Sequence, residues 1–159
     1  MTAWTDGICI DGANLLLVAS ENGIRQIRFR SAGPPEGQRD PANPLLVESV
    51  SQLRAYFAGE LREFHLPLVL AGSDFQLRVW RQLLTIPYGE TRTYLEIARA
   101  LGAPGAVRAV GAANGANPVA IVVPCHRVIG SGGELVGYAG GLALKKRLLD
   151  LERGAGLFQ

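Results

Sequence analysis

The sequence changes texture at Ser73, and that change limits the possible folds more than any other feature. Before it, the strand-like runs "GICI", "NLLLVAS" and "IRQIRFR" are separated by the turn signals "DGAN" and "ENG". After it, two capping boxes, Ser73 with Gln76 and Thr93 with Glu96, each open a helix. A chain that groups its strands first and its helices afterwards separates them in space. We therefore expect an α/β domain over residues 1–72 and a mainly α domain over residues 73–159. A chain of 159 residues is long enough to bury a hydrophobic core without disulfides.

In the first half, "IRQIRFR" alternates imperfectly: Ile24, Gln26, Arg28 and Arg30 share one face, Arg25, Ile27 and Phe29 the other. "SAGPPEGQRDPAN" reads as an exposed loop, because its prolines and glycines oppose regular pairing. Asn43 caps the next helix, Pro44 suits its first position and Gly59 its exit. Leu46, Val50, Leu53 and Phe57 recur at helical spacing and should face the sheet. "EFHLPLVLAG" leads out with one short strand, and His65 within it reads as a structural residue.

In the second half, the helix from Ser73 should turn Phe75, Val79, Leu83 and Trp80 inward, and "IPYGE" ends it. "YLEIARALG" closes at Gly102, and "PGAVRAVGAANGANP" begins another helix with Pro104 near its start. Two short helices joined by about three residues around a glycine make a helix-turn-helix candidate, a pair that serves packing as readily as DNA binding. The second helix is almost without bulk at Ala106, Ala109, Gly111, Ala112 and Ala113, and Arg108 is its only long polar side chain. Such a helix can pack tightly inside the protein or enter a nucleic-acid groove behind one arginine. "VAIVV" then reads as a buried strand, and "GSGG" as the turn of a hairpin between "HRVI" and "ELVG", the layout of a winged helix. A final helix from Leu142 to Arg153 carries Leu144, Leu148, Leu149 and Leu151 on its apolar face.

The net charge of +2 is unevenly divided: residues 1–74 hold six arginines against nine acids, and residues 75–159 hold ten basic residues against five acids. A basic second half is an ordinary solvated face or a surface for a polyanion. No apolar stretch approaches the roughly 20 residues that span a bilayer, and the N-terminus has no basic lead into a signal-type core, which favours a cytoplasmic protein. Cys9 and Cys125 lack CxxC spacing and read as free thiols.

Cys125 and His126 adjoin at the end of the apolar run "IVVPCHRVIG". A thiol attacks as thiolate, so it needs a proton acceptor. Neighbours on an extended chain point to opposite sides, so either a turn at Pro124 brings the pair together or a bridging water carries the proton. A third group should orient the imidazole. An inert buried cysteine is the competing explanation.

"FQLRVWRQLLTIPYGETRTY", "RAVGAANGANP", "IVVPCHRVIGSGGELVGYAGG" and "KKRLLDLE" occur in the order and spacing of the O6-alkylguanine-DNA alkyltransferases, and the chain resembles that family over residues 75–152. The resemblance implies a ribonuclease-H-like first domain and a winged helix-turn-helix second domain. It implies direct-reversal repair: one irreversible transfer of an alkyl group from O6 of guanine, with O4 of thymine left open, to Cys125 after nucleotide flipping through the minor groove. His126 becomes the base acting through a water, and Glu152 the group that orients it. Tyr94 helps turn the nucleotide out and bonds the purine. Asn117 braces the turn before the active-site segment. Arg108 fills the space left by the extruded base, on a DNA-contacting surface with Ala109, Gly111 and Ala112. Pro124, Val128, Tyr138, Ala139 and Gly140 wall the alkylguanine pocket, with Ala139 where some members carry serine. The implied partner is double-stranded DNA containing O6-alkylguanine, with no membrane and no cofactor. The protein is expected to be monomeric in solution, with cooperation on DNA left open.

The first half has one cysteine and no histidine before His65, so the zinc site of some family members cannot be built there and no metal is expected. Three alternatives compete with this reading. The first is an alkyltransferase-like protein that binds alkylated DNA without transfer, a group that usually has tryptophan at the cysteine position. The others are a DNA-binding scaffold with an inert cysteine and a cysteine hydrolase.

Overall fold

The computed structural model describes residues 2–29 and 34–154. The chain divides into two compact units: one runs to Ala71 and includes Pro118–Ala120, the other comprises Gly72–Asn117 and the chain from Ile121 onward.

The first unit is a four-stranded sheet in the order β3-β2-β1-β4, built from β1 (Ala3–Ile10), β2 (Ala13–Ser20), β3 (Gly23–Phe29) and β4 (Gln38–Arg39). β1, β2 and β3 pair antiparallel, and β4 pairs parallel to β1. Asp11 and Gly12 both have positive φ, as a two-residue type I′ turn requires, and they join β1 to β2. On β3 the register slips so that Val18 faces Gln26 while Ala19 faces Ile24, leaving Arg25 as an extra residue. The slip explains the imperfect alternation, because it lets Ile24 and Ile27 both be fully buried. Arg30 and residues 31–33 of the expected loop lie outside the described residues.

Three expectations for this unit need correction. Part of the supposed loop, Gln38–Arg39, pairs with Ala3–Trp4, so its prolines and glycines confine a strand without excluding it. Helix α1 (Pro44–Phe57) is capped as read: the Asn43 side chain accepts from the Leu45 and Leu46 N–H groups, and Gly59 follows at φ +77°. Its buried stripe, however, is Leu46, Ser49, Leu53 and Tyr56, with Val50 and Phe57 only partly buried. Ser49 can be buried because its hydroxyl donates to the Leu45 carbonyl at 2.7 Å. Tyr56 is held by ring contacts to Phe57 and Phe64. The short strand in "EFHLPLVLAG" is a single bridge from Leu68 to Ile24, and a second bridge joins Val119 to Ile27. Together they close the free edge of β3. His65 is exposed, and the Gln52 side chain bonds its backbone N–H and carbonyl.

The second unit contains α2 (Asp74–Leu83), β5 (Arg92–Thr93), α3 (Tyr94–Ala100), α4 (Val107–Gly115), a 3-10 turn at Cys125–Arg127, β6 (Val128–Ile129) and α5 (Leu142–Arg153). Both capping boxes form as read, at Ser73–Gln76 and Thr93–Glu96. α2 buries Val79, Trp80 and Leu83, while Phe75 is partly buried. The indole N–H of Trp80 donates to the Ala113 carbonyl at 2.8 Å, which ties α2 to α4.

Here too the structure corrects local expectations. α4 starts at Val107, because Pro104 sits in the preceding turn, where Ala106 N–H bonds the Ala103 carbonyl. The joint between α3 and α4 therefore spans residues 101–106. "VAIVV" is buried but is not a continuous strand: Ile121 has φ +73°, and the chain turns there. The "GSGG" turn closes through Gly130 N–H to the Glu134 carbonyl, yet residues 134–137 form no strand, and β6 pairs parallel with β5. On α5 the buried residues are Lys145, Leu148, Leu149 and Glu152, with Leu144 and Leu151 only partly buried.

Gly23 begins β3 at φ +155°, and a Cβ there would lie 2.7 Å from the Pro67 carbonyl oxygen. Gly23→Ala is expected to lower the unfolding free energy by about 1–3 kcal/mol in urea titrations, since the obstructing atom is backbone and cannot turn aside.

Candidate active site

Pro124 has φ −82° and ψ 63°, and Cys125 N–H bonds the Val123 carbonyl at 2.8 Å, which is an inverse γ-turn. Cys125, His126 and Arg127 follow as one 3-10 turn, closed by Arg127 N–H to the Pro124 carbonyl. The expected extended geometry is therefore replaced by a turn, but the turn does not bring thiol and imidazole face to face. Successive 3-10 residues point about 120° apart. His126 instead reaches α5, where its Nε2 lies 2.7 Å from Glu152 Oε2. Its Nδ1 is buried with no hydrogen-bond partner among the described residues.

Cys125 is only 7% exposed. Burial pushes its pKa up, and a hydrogen bond from the Asn117 side chain and the nearby charge of Lys145 offset part of that. Asn117 Nδ2 also donates to the Val123 carbonyl at 2.8 Å, which braces the segment entering the γ-turn. Burial lowers the pKa of His126, opposed by Glu152 and reinforced by Arg127 and Lys145. Burial would push the Glu152 carboxyl up, but hydrogen bonds and charge from His126 and Arg127 outweigh it and hold it at about 2.

Tyr94, first residue of α3, donates its hydroxyl to the Val136 carbonyl at 3.2 Å. Burial and the neighbouring Cys125 raise its pKa, and the Asn114 side chain beside it offsets this in part. Tyr138 is partly exposed while its hydroxyl is buried; burial, then Cys125 and Glu152, push its pKa well up. Pro124 and Val128 are buried, whereas Ala139 is exposed and Gly140 partly so. On α4, Arg108, Ala109 and Ala112 are exposed and Gly111 partly exposed, while Val110, Ala113 and Asn114 face inward. The exposed positions form one narrow strip of small residues headed by an arginine.

Three polar residues here escaped the reading of individual side chains. Asn114 is buried on the inner face of α4, and its Nδ2 approaches the Cys125 carbonyl at 3.4 Å. Lys145 is fully buried and donates to the carbonyls of Val136 and Gly137 at 2.9 and 3.3 Å, so it holds the loop that leads to Tyr138. Arg127, 7% exposed, grips Glu152 through Nε and Nη2 and the Ile86 carbonyl through Nη1. The available signals were positional: Arg127 follows the Cys-His pair, and Lys145 lies seven residues before Glu152 on one helix face.

Comparison with known proteins places this arrangement in a class. Residues 13–70 match the model of the 6-O-methylguanine DNA methyltransferase ribonuclease-like domain, and residues 74–154 match that of the family's DNA binding domain. The chain belongs to the 6-O-methylguanine DNA methyltransferase family, with a ribonuclease-like N-terminal domain and a C-terminal DNA-binding domain.

Among individual relatives, a methylated-DNA–protein-cysteine methyltransferase of Mycobacterium leprae is 65% identical over 113 residues, covering 71% of this chain and 68% of that protein. The Mycobacterium bovis protein of the same name is 67% identical over 105 residues, and the match spans 64% of its length. One from Methanosarcina barkeri is 49% identical across 87% of this chain and 89% of its own. A crystal structure of Mycobacterium tuberculosis OGT in complex with DNA superposes with a TM-score of 0.87 at 50% identity, covering 96% of this chain and 93% of that one.

The charge on Glu152 has a pH signature. Its stabilising contribution is complete above the unfolded pKa of 4.5 and is lost as pH falls toward about 2. The stability gap between wild type and Glu152→Gln, measured by urea unfolding, should be widest at neutral pH and should narrow across that acid interval. A gap independent of pH would place the charge elsewhere.

Proposed function

We propose that this chain repairs DNA by direct reversal: Cys125 takes the alkyl group from O6 of guanine in double-stranded DNA, irreversibly and once per molecule. The observation that carries this reading is the burial of Cys125, 7% exposed on a turn beside a locked histidine. A nucleophile so enclosed cannot reach an alkyl carbon inside a paired duplex. The base must be extruded, at a cost of a few kcal/mol.

The exposed strip of α4 suits that task. Its small residues allow close approach to a groove, and Arg108 occupies the vacated position in the stack. Tyr94 and Tyr138 bring hydroxyls to the region of the thiol, and the Pro124, Val128, Ala139 and Gly140 segments complete the wall of the base pocket. With alanine at 139, no hydroxyl is available there, so backbone N–H groups and the tyrosines meet the charge that develops on the leaving purine.

In the transfer, the thiol proton passes to Nδ1 of His126, the unpartnered ring nitrogen, through a bridging water. A sulfur–carbon bond forms as the carbon–oxygen bond of O6 breaks, and the electron pair stays on the guanine. The freed guanine anion takes back one proton, so the balance closes with guanine and an S-alkylated Cys125. Proton transfer of this kind contributes about 10²–10⁴-fold in rate. Asn117 steadies the thiol, and Glu152 fixes the tautomer of His126. The protein is proposed to act as a cytoplasmic monomer.

Binding of alkylated DNA without transfer is the second reading, and Cys125 itself argues against it. Incubation with O6-methylguanine duplex should add one methyl mass to the peptide containing Cys125, and Cys125→Ala should bind the duplex without reacting. An unmodified Cys125 after prolonged incubation supports binding alone. Arg108→Ala should slow reaction with duplex by at least tenfold while leaving reaction with free O6-benzylguanine far less affected; equal losses on both substrates would remove the gap-filling role.

A further inference from the structure

Arg127 has no part in the scheme above, yet it makes the densest set of polar contacts in the site. Its Nε donates to Glu152 Oε1 at 2.7 Å and its Nη2 to Glu152 Oε2 at 2.9 Å. Nη1 donates to the Ile86 carbonyl at 2.7 Å, and the guanidinium lies over the Tyr88 ring at 5.8 Å. Glu152 Oε2 thus serves Arg127 and His126 together.

We propose that Arg127 is a positioning residue that fixes where the thiol proton stops: it keeps Glu152 a carboxylate and leaves His126 uncharged until Cys125 gives up its proton. The inference rests on the reading of Cys125 as acceptor and His126 as its base.

A buried carboxylate facing an imidazole without Arg127 would draw the shared proton onto the imidazole, the more basic group, and hold it there. An imidazole already protonated cannot accept the thiol proton, so the base function ends. The bidentate guanidinium closes that route. It also keeps Glu152 ionised, because a protonated carboxyl would lose the charge assistance in both hydrogen bonds to a buried cation. With its charge already balanced, Glu152 pulls less strongly on an imidazolium, while Oε2 still accepts the Nε2–H that leaves Nδ1 as the basic nitrogen. When the thiol proton arrives at Nδ1, Glu152 and Arg127 keep their protonation states.

The other groups near His126 do not duplicate this role. Cys125 shares its turn, and Lys145 lies on α5 with its ammonium committed to the carbonyls of Val136 and Gly137. The Tyr138 hydroxyl is a further titratable group close to Cys125 and Glu152. The charged residues of α2, which also packs against the turn, are Asp74, Arg78 and Arg81, and all three are exposed.

The test is the pH dependence of single-turnover transfer from O6-methylguanine duplex to the full chain, with folding of each variant checked by urea unfolding. The wild-type rate should fall on the acid side as His126 protonates. Arg127→Gln should move that acid limb at least one pH unit upward, a tenfold rate loss at pH values on the shifted limb, and Arg127→Lys should restore part of the shift. Slower transfer with the limb unmoved in Arg127→Gln means a structural role only and overturns the proposal. If Arg127→Gln does not fold, an unmoved limb in Arg127→Lys overturns it and an upward shift supports it. His126→Gln separates the two readings. An acid limb that persists there overturns His126 as the base and this proposal with it; a limb lost there but unmoved in the Arg127 variants overturns only the role of Arg127.

Discussion

The carboxylate of Glu152 is the point on which the site depends. Its side chain is wholly buried and receives Arg127 twice and His126 once, all within 2.9 Å. An unpaired charge at such depth would cost several kcal/mol, so the arrangement stands only as a set: removing one partner leaves another buried and uncompensated. The set also joins α5 to the active-site turn. Lys145 lies two turns earlier on the same face of α5, with its ammonium on the Val136 and Gly137 carbonyls. One helix face therefore positions both the orienting carboxylate and the loop that carries Tyr138.

The chain path into the turn is also specific. After α4 the chain leaves the second unit at Pro118, pairs through Val119 with Ile27 of the first, and returns at Ile121. The return requires Ile121 at φ +73°, a conformation that costs a β-branched residue on the order of 1–3 kcal/mol. After it, the Asn117 amide fixes the Val123 carbonyl. Pro124 then turns the chain into the 3-10 segment, and the directions of Cys125 and His126 follow from that backbone path.

Features decided within a few residues were legible in the sequence. The capping boxes at Ser73 and Thr93 and the Asn43–Pro44 helix start are contacts between a side chain and its own first turn, and all three formed as read. Features decided by distant partners were not. Gln38–Arg39 became a strand because β1 offered a free edge, and Ser49 went inside because Leu45 satisfied its hydroxyl. Periodicity counts apolar letters, so it overlooked Ser49, Asn114 and Lys145, and a charged letter such as Arg127 reads as surface until its partner is located. The residues alone demanded a third group behind His126 without naming it; family resemblance named Glu152, and the coordinates added Arg127.

A thiol pKa raised by burial at first looks wrong for a nucleophile, since it disfavours the thiolate. For a residue proposed to react only once, the balance of effects differs. Oxidation and adventitious alkylation follow thiolate character and exposure, and a buried thiol presents little of either. Once formed, a thiolate of high pKa is intrinsically the stronger nucleophile, so part of the loss in ionised fraction returns as reactivity. The proposed mechanism then requires a base that deprotonates the thiol only at the moment of transfer and is neutral beforehand. On the proposed mechanism, burial and Arg127 would keep His126 neutral and Glu152 would keep it aimed, which would tie the reactivity of Cys125 to a network that a freely exposed cysteine lacks.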